Sequence, residues 1–351
     1  EKMGIYAGLG LFEAGLKLGL LFIIYVTPGE KLVLYSLSIF IATFLSKSFL
    51  IVYSHFRFNE CAITFVWDRF KFTSLIAYSG WNMVGSLAGV GRNQGGNILL
   101  NIFFGPIINA ARGIAYQVYG VFTQLISNVY LATRPQIIKY YAKGNFESMW
   151  RLVFTSSKGT FFLLLIVSIP IFLEIEYILT LWLKSFPPMT PVFVRLLVIN
   201  ILLESITNQL VAVLQAANKI KIFQVYASSI LLLNIPVSYL LLKMGFNENS
   251  PFVVAIILTI IFYIPQLLIV KREAGLSIGR FFYDVVGRIL ITAIFTLMLP
   301  SLLYFSLDEG MVRFILVTLV GVISCFSLVY IIGLNKEERN WIKSLIKNVK
   351  R

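Results

Sequence analysis

The chain has 351 residues, of which 58% are hydrophobic and only 13% are charged, and its mean hydropathy is +0.84. Because soluble domains carry about 25% charged residues, this composition excludes an ordinary water-soluble enzyme or binding domain. The net charge of +14 could indicate nucleic-acid binding, but the basic residues lie in short loops between long apolar blocks. That arrangement favours a membrane protein whose loops meet anionic lipids, with no nucleic-acid partner.

The apolar residues form ten blocks of about 20 residues or more, a length that crosses about 30 Å of hydrocarbon as a helix. We therefore predict an all-α, polytopic integral membrane protein with about ten transmembrane helices. The predicted spans are approximately 4–26, 31–53, 74–104, 107–133, 155–183, 190–216, 219–243, 251–270, 285–305 and 312–333. The chain opens Glu1-Lys2-Met3 without a cleavable signal peptide, and the first block begins almost at once, so we expect an N-terminal truncation.

Basic residues are concentrated in alternate loops. Since Lys and Arg favour the cytoplasmic side of short loops, both ends of the chain are expected in the cytoplasm, as an even number of spans requires. The basic loops and tail hold Arg57, Arg69, Lys71, Arg134, Lys139, Lys143, Arg151, Lys219, Lys221, Lys271, Arg272, Arg280, Arg288, Lys336, Arg339, Lys343, Lys347, Lys350 and Arg351. The opposite loops hold only Lys31, Lys184, Lys243 and Arg313.

Two cytoplasmic segments combine an apolar helical face with basic neighbours, which is typical of helices that lie on an anionic leaflet. In residues 278–288 the apolar face consists of Ile278, Phe281, Phe282, Val285 and Val286. In the tail it consists of Ile342, Leu345, Ile346 and Val349.

The first span has a charged side and a glycine side. Glu13 and Lys17 are four residues apart, the spacing of a helical ion pair, and they form either a structural pair or part of an ion-coupling site. The glycines of this span lie roughly on the other face, where they permit close helix packing; they are Gly4, Gly8, Gly15 and Gly19.

Polar side chains also mark the third span, although ionisable groups inside a membrane are costly and usually face a cavity or the protein interior. Arg92 is followed by Asn93, Asn97 and Asn101 at intervals of four residues, which places them on one helical face. The surrounding glycines allow this helix to bend or unwind where it lines a cavity. The alternative is that the asparagines only join helices by hydrogen bonds.

Two further spans carry polar faces. The fourth span contains Arg112 and a stripe of Gln117, Gln124 and Asn128, while the sixth contains Arg195 and a stripe of Glu204, Asn208 and Gln215. Three such helices predict a polar lumen. Its three arginines outnumber its carboxylates, so the lumen is expected to be cationic and to bind an anionic passenger.

Soluble-enzyme chemistry is not supported by the sequence. His55 is the only histidine, so a histidine-based catalytic group would have to use it, and the two cysteines, Cys61 and Cys325, are far apart. Gly8 and Gly10 begin a dinucleotide-like pattern, but Glu13 occupies the place of the third glycine. We predict no catalytic residue, metal site or cofactor.

Two stretches resemble a known family. The stretch GRNQGGNILLNIFFGPIINAARGIAYQV, Gly91 to Val118, resembles the start of the second lobe of Wzx-type O-antigen and capsule flippases. These flippases belong to the multidrug/oligosaccharidyl-lipid/polysaccharide exporter superfamily. The stretch RPQIIKYYAKGN, Arg134 to Asn145, is similar to the cytoplasmic loop that follows their next helix, and the similarity extends over nearly the whole chain.

The resemblance implies a MATE-like fold, in which two six-helix lobes face each other across a central cavity. On this map residues 1–53 are the last two helices of the first lobe, 54–73 a cytoplasmic linker, and 74–270 a complete six-helix second lobe. Residues 271–351 are a cytoplasmic elbow, two additional transmembrane helices and a basic amphipathic tail. About four helices of the first lobe would then precede the chain.

The resemblance further implies a flippase that moves a polyprenyl-pyrophosphate-linked oligosaccharide across the bacterial inner membrane by alternating access, for O-antigen or capsule synthesis. Polysaccharide polymerase and chain-length machinery are expected partners besides the substrate and anionic lipids. The candidates for substrate binding are Arg92, Asn93, Asn97, Asn101, Arg112, Gln117, Arg195 and Asn208. The candidates for coupling to a proton or sodium gradient are Glu13, Lys17 and Glu204.

Two alternatives stay open. A multidrug cation antiporter of the same fold would favour carboxylates in its lumen. A membrane glycan ligase or polymerase would need a sizeable outward-facing loop for its catalytic residues, and the longest such loop predicted here is about 183–191.

Overall fold

The computed structural model describes residues 3–26, 30–57 and 68–340 together with Ser344, and every regular element in these residues is helical. The ten long helices are Met3–Val26 (α1), Lys31–Arg57 (α2), Arg69–Phe104 (α3), Pro106–Ala142 (α4), Phe146–Leu183 (α5), Thr190–Ala216 (α6), Ile220–Lys243 (α7), Ser250–Ala274 (α8), Ile278–Ser306 (α9) and Met311–Gly333 (α10). The predicted all-α class is therefore confirmed for the described part of the chain.

Seven of these helices, α2 and α5 to α10, are long and apolar enough to cross a membrane, as counted over the described residues. They indicate a multi-pass membrane protein. The predicted count of ten spans is not confirmed: α1, α3 and α4 are outside this count, and α3 and α4 carry arginines, carboxamides and glycines that lower their hydropathy. The remaining spans stay a prediction.

Helices α1 and α2 pack against each other as a unit of their own, residues 1–72. The predicted ion pair of α1 is confirmed, with Lys17 Nζ 2.7 Å from Glu13 Oε1. The predicted packing through glycines is not seen among the described residues, because no described atom lies within 4 Å of a Cβ built on Gly8, Gly15 or Gly19.

Helices α3 to α10 form the second unit, residues 73–351. Three of them begin with a proline in the first turn, where the missing N–H costs no helical hydrogen bond; these prolines are Pro106, Pro191 and Pro251. Gly105 makes the turn between α3 and α4 with φ +79°, a conformation in which a side chain would be strained.

Helix α6 lies at the centre of this unit and contacts α4, α5, α7 and α8. Tyr119 of α4 hydrogen-bonds Glu204, and Tyr130 hydrogen-bonds Gln215, so both contacts join residues 85 apart. A constant separation means that α4 and α6 run in the same direction. The same holds for α6 and α8, where two hydrogen bonds each join residues 59 apart.

Because α4, α6 and α8 are parallel and the intervening helices run back, the connecting loops lie at two opposite ends of the unit. One end holds the loops 143–145, 217–219 and 275–277, and the other holds 184–189, 244–249 and 307–310. This is the alternation that the distribution of basic residues predicts.

Helix α3 is continuous from Arg69 to Phe104, so its glycines do not unwind it. They instead make room for side chains of α7. A Cβ on Gly95 would lie 2.6 Å from Ile235 Cδ1, and a Cβ on Gly85 would lie 2.1 Å from Gln224 Oε1.

Helices α9 and α10 pack together and against α5. Arg313 of α10 forms a bidentate pair with the fully buried Glu174 of α5, at 2.8 and 3.0 Å. Bidentate pairing of this kind fixes both the distance and the orientation of the two side chains.

The chain after α10 is tied back to α5. Asn335 and Glu338 form reciprocal side-chain to backbone hydrogen bonds, a capping box, at the start of helix 336–340. Glu338 also pairs with the buried Lys158 at 2.6 Å and accepts a hydrogen bond from Thr155 at 2.7 Å. Burial alone would raise the pKa of Glu338, but the hydrogen bonds from Lys158, the Asn335 N–H and Thr155 outweigh it and hold the pKa below its usual range.

The segment 278–288 differs from its prediction as a surface helix. It forms the first turns of α9, and Phe281 and Val285 are buried in the protein, where the Phe281 ring packs 5.7 Å from that of Phe154 in α5. Only Phe282 of the predicted face is exposed. The apolar residues of the predicted tail helix lie outside the described residues.

Candidate functional site

The candidate site is centred on an arginine of α3 and a glutamate of α6. Arg92 Nη1 lies 3.7 Å from Glu204 Oε1, and 22% and 30% of their side-chain surfaces are exposed. This distance allows attraction between the charges but is too long for a hydrogen bond. The two residues are therefore neighbours without being locked together.

Three helices hold Glu204 in place. Tyr119 of α4 donates to Oε2 at 3.1 Å, and Asn200, one turn earlier on α6, donates to Oε1 at 2.8 Å. Thr259 of α8 in turn donates to Asn200 Oδ1 at 2.9 Å. The carboxylate is thus oriented by a hydrogen-bonded chain that leads from α8 to α4.

Arg112 of α4 lies beside this pair and is 7% exposed. Its guanidinium donates to the backbone oxygen and the side chain of Asn93 at 2.8 and 2.6 Å, and to Asn97 Oδ1 at 3.3 Å. The guanidinium also lies 4.1 Å from the centre of the Tyr116 ring. Among the described residues no carboxylate pairs with it.

A cavity of about 430 Å³ opens between α3, α6, α7 and α8, with Arg92 and Glu204 in its wall. A second cavity of about 210 Å³ lies between α4 and α6. Glu204 and Asn208 line both cavities, so α6 forms a wall that the two share.

The structure brings together six of the predicted site residues: Arg92, Asn93, Asn97, Arg112, Glu204 and Asn208. It does not bring Arg195 to them, because Arg195 pairs with Glu176 at 2.8 Å and donates to Phe172 O at 3.0 Å. Asn101 and Gln117 are exposed and line none of the described cavities. Glu13 and Lys17 belong to the first unit.

Among the described residues, two of the three arginines predicted for the lumen have glutamate neighbours, and the cationic lumen stays a prediction. Arg92 and Arg195 each have a glutamate partner, so Arg112 alone among the three arginines lacks one in the described part of the chain. The charge of an arginine and its position in a span do not predict its partner, since the partners of Arg92 and Arg195 lie on other helices.

The sequence analysis missed several residues of the site, among them Tyr119, Asn200 and Gln266, a residue of α8 that lines the larger cavity. Asn200 lies four residues before Glu204, so extending the polar stripe of α6 by one turn would have found it. The tyrosine and the α8 glutamine carry no charge and sit in apolar surroundings, and nothing in their local sequence separates them from core residues.

The described residues contain no group of three or more His, Cys, Asp or Glu side chains placed to bind a metal ion. Comparison of the chain with protein-family models, with curated proteins and with solved structures found no match.

Proposed function

We propose that this protein is a flippase that moves a polyprenyl-pyrophosphate-linked oligosaccharide across the bacterial inner membrane for surface-polysaccharide synthesis. The observation that carries the proposal is the loose Arg92–Glu204 contact in the wall of a cavity, inside a bundle of membrane-length helices. Ionisable groups inside transmembrane bundles are rare, and they commonly mark substrate or ion pathways.

A contrast within the same unit supports this assignment. Arg313 and Glu174 are held in a bidentate pair away from any described cavity, which is the geometry of a structural contact. Arg92 has its carboxylate neighbour at 3.7 Å and faces open space. A ligand can therefore accept hydrogen bonds from the Arg92 guanidinium without first breaking a bidentate pair.

The proposal treats α3 to α8 as one six-helix lobe of a MATE-like transporter and α9 with α10 as an added pair. The pattern of contacts is compatible with it, because α9 and α10 pack on each other and on α5. The end with the basic loops would face the cytoplasm, and the substrate would enter from that leaflet.

A multidrug cation antiporter of the same fold is the second candidate. It is favoured by Glu204, which places a carboxylate in the cavity wall. Uptake of an organic cation would be the activity to measure.

The test uses the full chain in proteoliposomes with a fluorescent polyprenyl-pyrophosphoryl oligosaccharide. Arg92→Ala is expected to lower flipping about 10- to 150-fold, the effect of losing one charge-assisted contact, at near-normal protein abundance. Arg195→Ala is the matched control, because it removes a paired arginine outside the cavities, and it should retain most of the activity.

Two results would contradict the proposal. One is normal flipping by both Arg92→Ala and Arg112→Ala at normal abundance. The other is an absence of lipid flipping together with robust exchange of an organic cation for protons or sodium, which would favour the antiporter.

A further inference from the structure

The cavity of about 430 Å³ is lined by a set of side chains that share a chemistry. It falls within the range of about 300–1,000 Å³ that is usual for small-molecule sites. Two rings, Phe223 and Phe262, lie in its wall with their centres 5.6 Å apart. Its polar lining includes four carboxamides, Asn208, Gln224, Asn234 and Gln266.

The two charged side chains in this lining have opposite signs, so the lining has no net charge. Arg92 and Glu204 both face the cavity, and their charges cancel to first order. A phosphate group that approached Arg92 would also approach the carboxylate of Glu204, and an organic cation that approached Glu204 would meet Arg92. An uncharged polar ligand avoids both repulsions.

The lining also presents hydrogen-bond acceptors that lack a donor. Gln266 is 1% exposed and its Nε2 donates to Thr207 O at 3.2 Å, which leaves Oε1 without a partner among the described residues. Asn234 also lines the cavity and is 4% exposed; its Nδ2 donates to Pro251 O at 3.1 Å, and none of the hydrogen bonds between described residues reaches its Oδ1. Buried acceptors of this kind are normally satisfied.

These acceptors select the kind of ligand. An ionised phosphate has no proton to donate to them, and a hydrocarbon tail offers neither donor nor acceptor. A sugar hydroxyl donates and accepts at once, and the apolar C–H face of a sugar ring can pack against an aromatic ring.

We propose that this cavity binds an uncharged glycosyl unit. Its hydroxyls donate to Gln266 Oε1 and Asn234 Oδ1 and accept from Arg92, while Phe223 and Phe262 cover its apolar face. The inference rests on the proposed function, since it assigns the sugar part of the lipid-linked oligosaccharide to this cavity and leaves the pyrophosphate outside it.

The experiment measures binding of three probes to the purified full chain in nanodiscs. The probes are a panel of neutral methyl glycosides of hexoses and N-acetylhexosamines, inorganic pyrophosphate, and tetraphenylphosphonium. We expect a glycoside to bind, and we expect Gln266→Leu to weaken that binding about tenfold or more, because a buried acceptor is lost at nearly constant volume.

Gln209→Leu is the matched control. Gln209 is fully buried on the neighbouring helix α6 and also has an unpartnered amide atom, but it lies outside the cavity. The Gln209→Leu variant should bind the glycoside as the wild type does. Should Gln266→Leu fail to fold, Ala255→Leu narrows the same cavity from α8 and is expected to weaken binding as well.

Three results would overturn the inference: binding of pyrophosphate or the phosphonium alone, no glycoside binding up to the solubility limit, or glycoside binding that neither cavity variant weakens. The same nanodisc preparation, transferred to proteoliposomes, separates this inference from the proposed function. Flipping without glycoside binding refutes the inference alone, whereas glycoside binding without flipping refutes the proposed function alone.

Discussion

Two arginine–glutamate pairs in the same unit differ in the geometry of a single contact. Arg313 reaches Glu174 with two nitrogens at 2.8 and 3.0 Å, whereas Arg92 reaches Glu204 with one at 3.7 Å. Glu174, the buried member of the first pair, has no other partner among the described residues. The carboxylate of the second pair keeps hydrogen bonds from Tyr119 and Asn200 when its arginine is removed.

The two arginines should therefore respond differently to truncation. Arg313→Ala leaves a buried carboxylate uncompensated, and we expect the free energy of unfolding to fall by about 3–5 kcal/mol. Arg92→Ala should cost about 1 kcal/mol or less, because its pair is partly exposed and its partner stays hydrogen-bonded. Denaturant unfolding of both variants in the same micelles measures the difference. Equal losses would contradict the distinction between a structural and a functional pair.

Arg112 is expected not to tolerate replacement by lysine. Its planar fork reaches Asn93 and Asn97 at the same time, and an ammonium group cannot reproduce that geometry. Arg112→Lys should lower the free energy of unfolding by about 1.5–3 kcal/mol, the range for hydrogen bonds to charged groups. Arg134→Lys on the same helix serves as control, since Arg134 Nε has no hydrogen-bond partner. A similar loss in both variants would show that the fork is unimportant.

At the scale of elements, the attachment of helix 336–340 to α5 is expected to be sensitive to acid. The pKa of Glu338 is lowered in the folded state, so its contribution to stability is complete above the unfolded-state pKa. That contribution is lost as the pH falls through the lowered, folded-state pKa. The free energy of unfolding should thus decrease as the pH is lowered from neutral to below the usual pKa range of a glutamate.

Glu338→Gln tests this dependence. At neutral pH it leaves Lys158 buried without its partner, so we expect a loss of about 3–5 kcal/mol and a weaker response to acid than in the wild type. Glu337→Gln is the neighbouring control, because that glutamate is 70% exposed in its contact with Arg151. If the two variants have the same pH profile, Glu338 is not the sensitive group.

Helix packing between α5 and α10 depends on a small residue at one contact. A Cβ on Gly321 would lie 2.6 Å from Ile169 Cγ2, a stiff β-branched side chain that is fully buried. Gly321→Ala should therefore lower the free energy of unfolding by about 1–3 kcal/mol through overpacking. Gly159→Ala on α5 meets no atom within 4 Å and should be neutral or stabilising, because alanine favours the helix. Thermal unfolding of both variants distinguishes the two outcomes.

For the whole molecule, the alternating helix directions predict the labelling of its loops. Cysteines introduced at Lys143 and Asn247 lie in loops at opposite ends of the second unit, so an impermeant maleimide should label them from opposite faces of the membrane. The basic residues predict that Lys143 is on the cytoplasmic side. Cys61 is first replaced by serine, and the other native cysteine, Cys325, is buried and should not interfere. Labelling of both positions from one side would refute the topology.

Much of this fold is readable from the sequence because apolar length and charge distribution are local properties. The boundary between α3 and α4 at Gly105 and Pro106 lies within a few residues of its prediction, whereas α4 and α5 extend about nine residues beyond the predicted spans towards Gly144. Contacts between distant helices are not local. Two helices, α4 and α5, lie between Arg92 and Glu204 in sequence, and only the central position of α6 brings the two residues together.

The polar stripes show that helical periodicity alone does not predict which side chains contact a neighbouring helix. Asn93, Asn97 and Asn101 are equivalent by helical periodicity, but only the first two face Arg112, because a neighbouring helix covers part of a stripe and not all of it. The charge of Arg195 and its position within the sixth span predict that it lies in the lumen. Its partner Glu176 lies on α5, and no pattern within α6 could reveal that.

Glu204 forms part of the wall of two cavities, and this position makes it a point of thermodynamic linkage. A ligand in the larger cavity that draws Glu204 away from Tyr119 changes the lining of the smaller one. By reciprocity, any molecule bound in the smaller cavity must then change the affinity of the larger one by the same factor. A ligand bound in one cavity thus changes the binding of a ligand in the other through Glu204.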